Sequence, residues 1–219
     1  MVYREKIDAM LQIIELECSS TRGYTGRSSL RPEVMAAMGK VLRQDFVPPA
    51  LKAMAYENCP LPIGKGQTIS QPFIVALMTD LLCPQKEDVI LEVGAGSGYQ
   101  AAILSLLVRK VYTIEIIPAL AEAAAELLQK LEYENVEVQQ GDGYNGWPEH
   151  APYDGIIVTA AAAHVPPALK EQLRPGGRLV IPVGMPYMPQ ELQVLEKDET
   201  GVLTTRNVLP VSFVPLTRA

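Results

Sequence analysis

The chain has 219 residues, 48% apolar and 20% charged, with 19 basic and 25 acidic side chains for a formal net charge of −6. That length supports one sizeable α/β domain, and the negative balance, with no Lys/Arg run longer than two, excludes a general grip on nucleic acid. Cys18, Cys59 and Cys83 form neither a disulfide framework nor a zinc pattern, the charged start Met1–Asp8 lacks a signal-peptide core, and no apolar run approaches the roughly 20 residues that span a bilayer, so a cytoplasmic protein without membrane contact is expected.

In chain order, Ile7, Met10, Leu11 and Ile14 fall at helical spacing and predict a helix over residues 3–18 with one buried face. Residues 19–30 are polar and glycine-bearing and predict a loop. Pro32 suits the first turn of a helix running to about Arg43, with Val34, Met38, Val41 and Leu42 on one face; Pro48-Pro49 then interrupts the chain. A helix begins near Pro72, and Ser70 is placed to cap it. From Asp88 onward, strands and helices alternate: strands at Asp88–Val93, Lys110–Glu115, Asn135–Gln140, Asp154–Thr159 and Gly177–Pro182, with helices at 98–108, 118–131 and 166–173 between them. Parallel neighbours need crossovers and helices supply them, so this spacing argues a parallel sheet covered on both faces. Glu191–Lys197 and Val208–Val214, joined across Asp198–Gly201, predict an antiparallel hairpin at the sheet edge.

The first of these strands ends in Leu91-Glu-Val-Gly-Ala-Gly-Ser-Gly98-Tyr-Gln. Gly94, Gly96 and Gly98 let a ligand approach the main chain at the carboxyl end of a parallel strand, where such sheets bind cofactors. A dinucleotide fingerprint needs glycine or alanine at 99, and Tyr99 stands there. A cofactor without a pyrophosphate, S-adenosyl-L-methionine (AdoMet), suits the G-x-G-x-G turn better. Glu115, at the end of the second strand, is placed to accept the ribose hydroxyls. Asp142 and Gly143, after the third, offer an acceptor for the adenine amino group and room for a flat ring; Asp-Gly alone is also an ordinary turn signal. The expected fold is a Rossmann-like, AdoMet-dependent methyltransferase fold: a mostly parallel, doubly wound sheet with a C-terminal antiparallel hairpin. Residues 1–219 are read as one domain, with 1–70 a helical region and acceptor segment and 71–219 the cofactor-binding core.

The chain resembles the protein-L-isoaspartate (D-aspartate) O-methyltransferases. The narrowest matches are Pro60-Leu-Pro-Ile-Gly-Lys-Gly-Gln-Thr-Ile-Ser-Gln-Pro72 and the ending Phe213-Val-Pro-Leu-Thr217; Arg43, Phe46-Val-Pro48, Gly141-Asp-Gly143, Tyr153–Ala161 and Leu173-Arg-Pro-Gly-Gly177 extend the likeness over residues 34–217. The resemblance implies methyl transfer from AdoMet to the free carboxylate of L-isoaspartyl residues in damaged proteins and peptides, with no metal. It implies Ser70 at the active site and in cofactor contact. Ile69, Val214 and Thr217 are expected at the substrate, with main-chain groups near Phe213–Leu216 lining the same cleft. The alternative is a methyltransferase of the same fold acting on another carboxylate or a small molecule; a monomer is expected.

The chemistry fits those residue types. A carboxyl group of pKa about 4 is already ionised at neutral pH, so the task is to desolvate and aim an anion rather than to remove a proton. Neither His150 nor His164 belongs to a triad motif that would make Ser70 a nucleophile, and Trp147 reads as packing. The Asn/Asp-Pro-Pro-aromatic box of amine methyltransferases is absent from Ala160–His164. Phe73-Ile74 stand where many relatives carry His-Met or Tyr-Met; residues 19–33 match no family motif, and Met185–Pro189 reads as a variable stretch.

Overall fold

The computed structural model describes residues 2–185 and 188–218, so Pro186 and Tyr187 of the Met185–Pro189 stretch lie outside the described residues. Helix α1 (Val2–Ser20) turns Met10, Ile14 and Cys18 into the core, as the apolar spacing predicts. The expected loop over 19–30 instead contains a one-turn helix, α2 (Arg22–Thr25), closed by left-handed Gly26; four residues are too few to produce a periodic signal. Helix α3 (Pro32–Lys40) stops short of Arg43 because Val41 takes an extended backbone, and Leu42 points outward rather than sharing the buried face. Arg43–Phe46 and Pro49–Met54 are 3-10 turns.

An antiparallel hairpin, β1 (Leu61–Gly64) and β2 (Gln67–Ile69), precedes α4 (Pro72–Leu82). It was not expected: its strands are only four and three residues long, and one contains Pro62. The α/β alternation then follows as predicted, with β3 (Val89–Val93), α5 (Tyr99–Ser105), β4 (Lys110–Glu115), α6 (Pro118–Lys130), β5 (Val136–Gln140), β6 (Tyr153–Val158), α7 (Pro167–Gln172) and β7 (Leu173–Val183). The closing hairpin is β8 (Gln190–Lys197) and β9 (Leu203–Val211). Its second strand starts earlier than expected and ends at Val211, leaving residues 212–217 as an extended tail.

The main sheet has the order β5-β4-β3-β6-β7-β8-β9, parallel as far as β7 and antiparallel beyond. The chain winds outward from β3 to β5, then crosses back to place β6 on the other flank of β3. That reversal opens a crevice at the carboxyl ends of β3, β4 and β6. The faces separate by side-chain alternation: Ile90, Val111, Ile157 and Val180 pack under the α1, α3, α4 and α5 layer, while Leu91, Ile114, Ile156 and Leu179 pack under Leu169 of α7 and Trp147. Trp147 thus packs, as expected, and His150 stacks on Tyr112 at a centroid distance of 3.9 Å.

The segment between α2 and α3 is fastened to α4 through Asp80, a buried carboxylate that accepts from the Arg31 amide at 2.9 Å and pairs with Arg27 at 3.1 Å. Residues 19–33 are thereby docked on the helical layer. Among the described residues no helix is long and apolar enough to cross a membrane.

Candidate active site

The glycine loop after β3 is held by its neighbours. The Gly94 and Ala95 amides both donate to the Ile114 carbonyl, at 2.8 and 3.1 Å. The Thr159 hydroxyl, just past β6, donates to the Gly94 carbonyl at 2.6 Å. Gly94 has φ +98, and a Cβ there would overlap that hydroxyl, so both the turn and the close approach require glycine. Gly143 is needed for a different reason: a Cβ would run into Val93 on the neighbouring strand. Gly96 lines the crevice with Gly94, whereas Gly98 caps α5, lies against Leu128 and is not among the lining residues.

Glu115, buried at the end of β4, accepts from the Gly96 amide at 2.8 Å through one oxygen and from the Ile117 amide at 3.0 Å through the other. Each carboxylate oxygen retains further acceptor capacity and the residue lines the crevice, so the group that shapes the loop can also receive hydroxyls. Asp142 does something the sequence left as its simpler reading: it accepts from the Tyr144 amide at 2.9 Å and caps the 3-10 turn Gly143–Asn145. It does not itself line the crevice, although Gly143 does.

Ser70 is not the helix cap. Gln71 occupies that position, and the first turn of α4 is served by Asn58, whose side chain accepts from the Phe73 amide at 3.0 Å. What holds Ser70 is its backbone: its carbonyl accepts from Arg43 at 2.7 Å. The serine hydroxyl has no protein partner among the described residues and opens onto two adjoining spaces. One is the crevice already described, lined also by Ile69, Val214 and Thr217. The other is a cleft of about 620 Å³ between α1, the acceptor segment and the tail, large enough for a stretch of extended peptide. Thr68, Ser70, Thr159 and Val214 line both, so they form the partition between them.

The tail reaches this partition because it is bonded to the loop after β6. The Ala161 amide donates to the Val214 carbonyl at 2.8 Å, and the Leu216 amide to the Ala161 carbonyl at 2.7 Å. Buried Gln190 grips Phe213 from both sides, accepting from its amide at 2.6 Å and donating to its carbonyl at 3.2 Å. His164 lies on the same loop but lines neither space.

Three residues gain importance that sequence reasoning did not give them. Glu92 is wholly buried, both its oxygens lack a partner, and it lines the crevice. Burial pushes its carboxyl up to about 8, against the opposing pull of the neighbouring Thr113 hydroxyl and with the nearby Glu115 charge adding to the rise. Arg43 is wholly buried beneath Ser70, with its guanidinium 4.9 Å from the centre of the Tyr99 ring; burial pulls its pKa down. Thr159 locks the glycine loop to the partition. Only its position at the end of a strand beside the reversal marks it in the sequence.

In its chemistry, the crevice lining therefore suits a nucleoside cofactor with a cationic amino-acid portion. It offers a backbone cradle that side chains would fill, a carboxylate for hydroxyls, and an unpartnered acidic group for positive charge.

Comparison with known proteins agrees. Residues 24–219 match the family model described as protein-L-isoaspartate(D-aspartate) O-methyltransferase. The chain is 61% identical over 208 residues to protein-L-isoaspartate O-methyltransferase 2 of Syntrophobacter fumaroxidans, covering 95% of this chain and 84% of that one. It is 57% identical over 208 residues to the protein of the same name from a Polaromonas species, covering 95% and 99%. A solved protein-L-isoaspartate O-methyltransferase superposes with a TM-score of 0.80 at 27% identity, over 95% of this chain and 65% of that one. A Plasmodium falciparum structure, described as a putative protein-L-isoaspartate O-methyltransferase in complex with S-adenosyl-L-homocysteine, matches in fold with a TM-score of 0.77 at 22% identity, over 96% of this chain and 98% of that one.

Proposed function

This chain belongs to the protein-L-isoaspartate (D-aspartate) O-methyltransferase family, and from that premise we propose how its residues transfer a methyl group from AdoMet to the free carboxylate of an L-isoaspartyl residue, whose side-chain carboxyl is taken up in the peptide linkage. The observation that carries the reading is the Thr68–Ser70–Thr159 partition: a cofactor crevice on one side, a peptide-sized cleft on the other. AdoMet, when bound, supplies an electrophilic methyl group on a sulfonium. Gly94, Gly96 and Gly143 provide its bed, Glu115 receives the ribose hydroxyls, and Glu92 meets the amino-acid end.

The acceptor arrives ionised, so no residue need act as a base. Ser70, whose hydroxyl is free and whose backbone is pinned by Arg43, donates to one carboxylate oxygen and leaves the other pointing across the partition. The apolar walls of the cleft, Phe73, Ile74 and Phe213, displace water from the anion and raise its nucleophilicity. The tail, tied to Ala161 and Gln190, presents main-chain groups to the peptide backbone. The resulting ester has methoxide as leaving group, so the following backbone nitrogen closes a succinimide with loss of methanol. Hydrolysis of that ring returns part of the material as normal aspartate. The three free cysteines support action in a reducing cytoplasm.

The test is a pair of synthetic peptides that differ only in an isoaspartyl or aspartyl linkage, incubated with labelled AdoMet. Label is expected on the isoaspartyl peptide alone and is expected to be lost in mild base, as an ester is. Equal labelling of both, or base-stable label, would reject the assignment.

Glu92 adds a pH signature. Its folded-state value, about 8, lies above the unfolded value near 4.5, so between those limits the folded protein holds a proton that the unfolded chain has released. This contribution to stability is greatest below about pH 4.5 and declines as pH rises toward 8. A cationic ligand beside the carboxyl reverses the balance and expels the proton. Calorimetric titration with AdoMet at pH 7 in two buffers of different ionisation enthalpy is expected to report proton release, and Glu92→Gln to abolish it. Identical heats in both buffers would contradict the role.

A further inference from the structure

Of the residues lining the acceptor cleft, Glu17 is the one that carries a charge among the described residues. It comes from α1, outside the stretch 24–219 that matches the family model. Its position is set rather than free: the Gln71 side-chain amide donates to one carboxylate oxygen at 3.0 Å, which ties α1 to the residue next to Ser70. The Thr21 hydroxyl donates to the Glu17 carbonyl at 2.7 Å and holds the end of the helix. The second carboxylate oxygen remains available to the cleft. Glu17 does not line the cofactor crevice, so its charge acts on the peptide rather than on the methyl donor.

A lone anion is an odd feature for a site that receives an anion. It is understandable if it reads the neighbours of the reacting residue. Ile74, Leu209, Pro210 and Val211, which line the same cleft, are apolar. A carboxylate in a cleft lined this way is screened less than one on an open surface, and its attraction or repulsion for a nearby charge is correspondingly larger. Resting on the isoaspartyl reading above, we propose that Glu17 is a specificity-determining residue that selects damaged sites with basic flanking residues and disfavours those with acidic ones. Gln71 is its positioning partner, and the helix outside the matched region thereby contributes to substrate choice.

The experiment uses the full chain and a set of isoaspartyl peptides carrying Lys, Ala or Glu at each of the two positions on either side of the damaged residue. At the most responsive position kcat/KM is expected to fall in the order Lys, Ala, Glu, with about a tenfold span, and the span to shrink in 0.5 M salt. Glu17→Gln is expected to collapse the span to within twofold, and Glu17→Lys to invert it. Each span is a ratio within one preparation, so a lower folded fraction cancels. Glu126→Gln, an equal charge change on the exposed face of α6, is expected to leave the span as it is. A wild-type span below twofold at every position, or one that survives Glu17→Gln, would overturn the proposal. Failure of the alanine-flanked isoaspartyl peptide to accept methyl groups would instead overturn the assignment on which it rests.

Discussion

Glu115→Ala is expected to weaken binding of S-adenosylhomocysteine about a hundredfold. Two losses combine. The ribose loses its acceptor, and the Gly96 and Ile117 amides lose the partners that fix the loop, at 2.8 and 3.0 Å. Hydrogen bonds to a charged group contribute about 1.5–3 kcal/mol each, and about 2.8 kcal/mol corresponds to a hundredfold change. Glu115→Gln retains an acceptor but turns its amide nitrogen toward one of the two backbone amides, so it is expected to fall between wild type and alanine. Isothermal titration measures this directly. An alanine variant within threefold of wild type would show that Glu115 only shapes the loop.

The second large effect is at Arg43, where activity and stability are expected to move independently. The guanidinium is buried with no carboxylate paired to it among the described residues; its Nε and one terminal nitrogen have no partner, and its firm bond is the 2.7 Å contact with the Ser70 carbonyl. Burying a cation without a carboxylate partner costs several kcal/mol, offset in part here by the Tyr99 ring, while leaving the Ser70 and Cys59 carbonyls without their donor costs about 1–3 kcal/mol each. The two costs are comparable, so Arg43→Met is expected to stay close to wild type in stability. Yet kcat/KM for an isoaspartyl peptide is expected to drop tenfold or more, because Ser70 loses the anchor of its backbone. The loss should fall on kcat and on KM for the peptide, not on affinity for S-adenosylhomocysteine. A lowered melting temperature with proportionate loss of every activity would mark Arg43 as structural instead.

The sequence made the parts of this protein that repeat a pattern legible. Strands β3 to β6 and their helices lie close to the positions expected from apolar runs punctuated by glycine, whereas β7 begins at Leu173, ahead of the expected Gly177. The order of the strands in the sheet was not legible, because handedness alone does not say where the chain reverses. The departures have local causes. The β1–β2 hairpin is too short for a period, α2 is a single turn, and α3 ends where Val41 extends rather than at a glycine or proline. At the site, glycines 94 and 96 and Glu115 stand on the crevice because strand ends converge there. Asp142 illustrates the limit: its Asp-Gly dipeptide alone marks a turn, only its place after the third strand suggests a cofactor contact, and the side chain is engaged as a cap. Arg43, Thr159 and Glu17 act through contacts across long sequence separations, with Ser70, Gly94 and Gln71 respectively. No local pattern encodes such pairs. The raised pKa of Glu92 is likewise a product of burial, invisible in the string Leu-Glu-Val.

The most direct test of the two-sided partition is a crystal structure of the chain with S-adenosylhomocysteine and an isoaspartyl peptide bound together. The nucleoside is expected against Gly94, Gly96 and Glu115, and the peptide in the cleft beside α1, with its free carboxylate within hydrogen-bonding distance of the Ser70 hydroxyl. A peptide bound elsewhere, or a carboxylate turned away from Ser70 with the cofactor in place, would contradict the account.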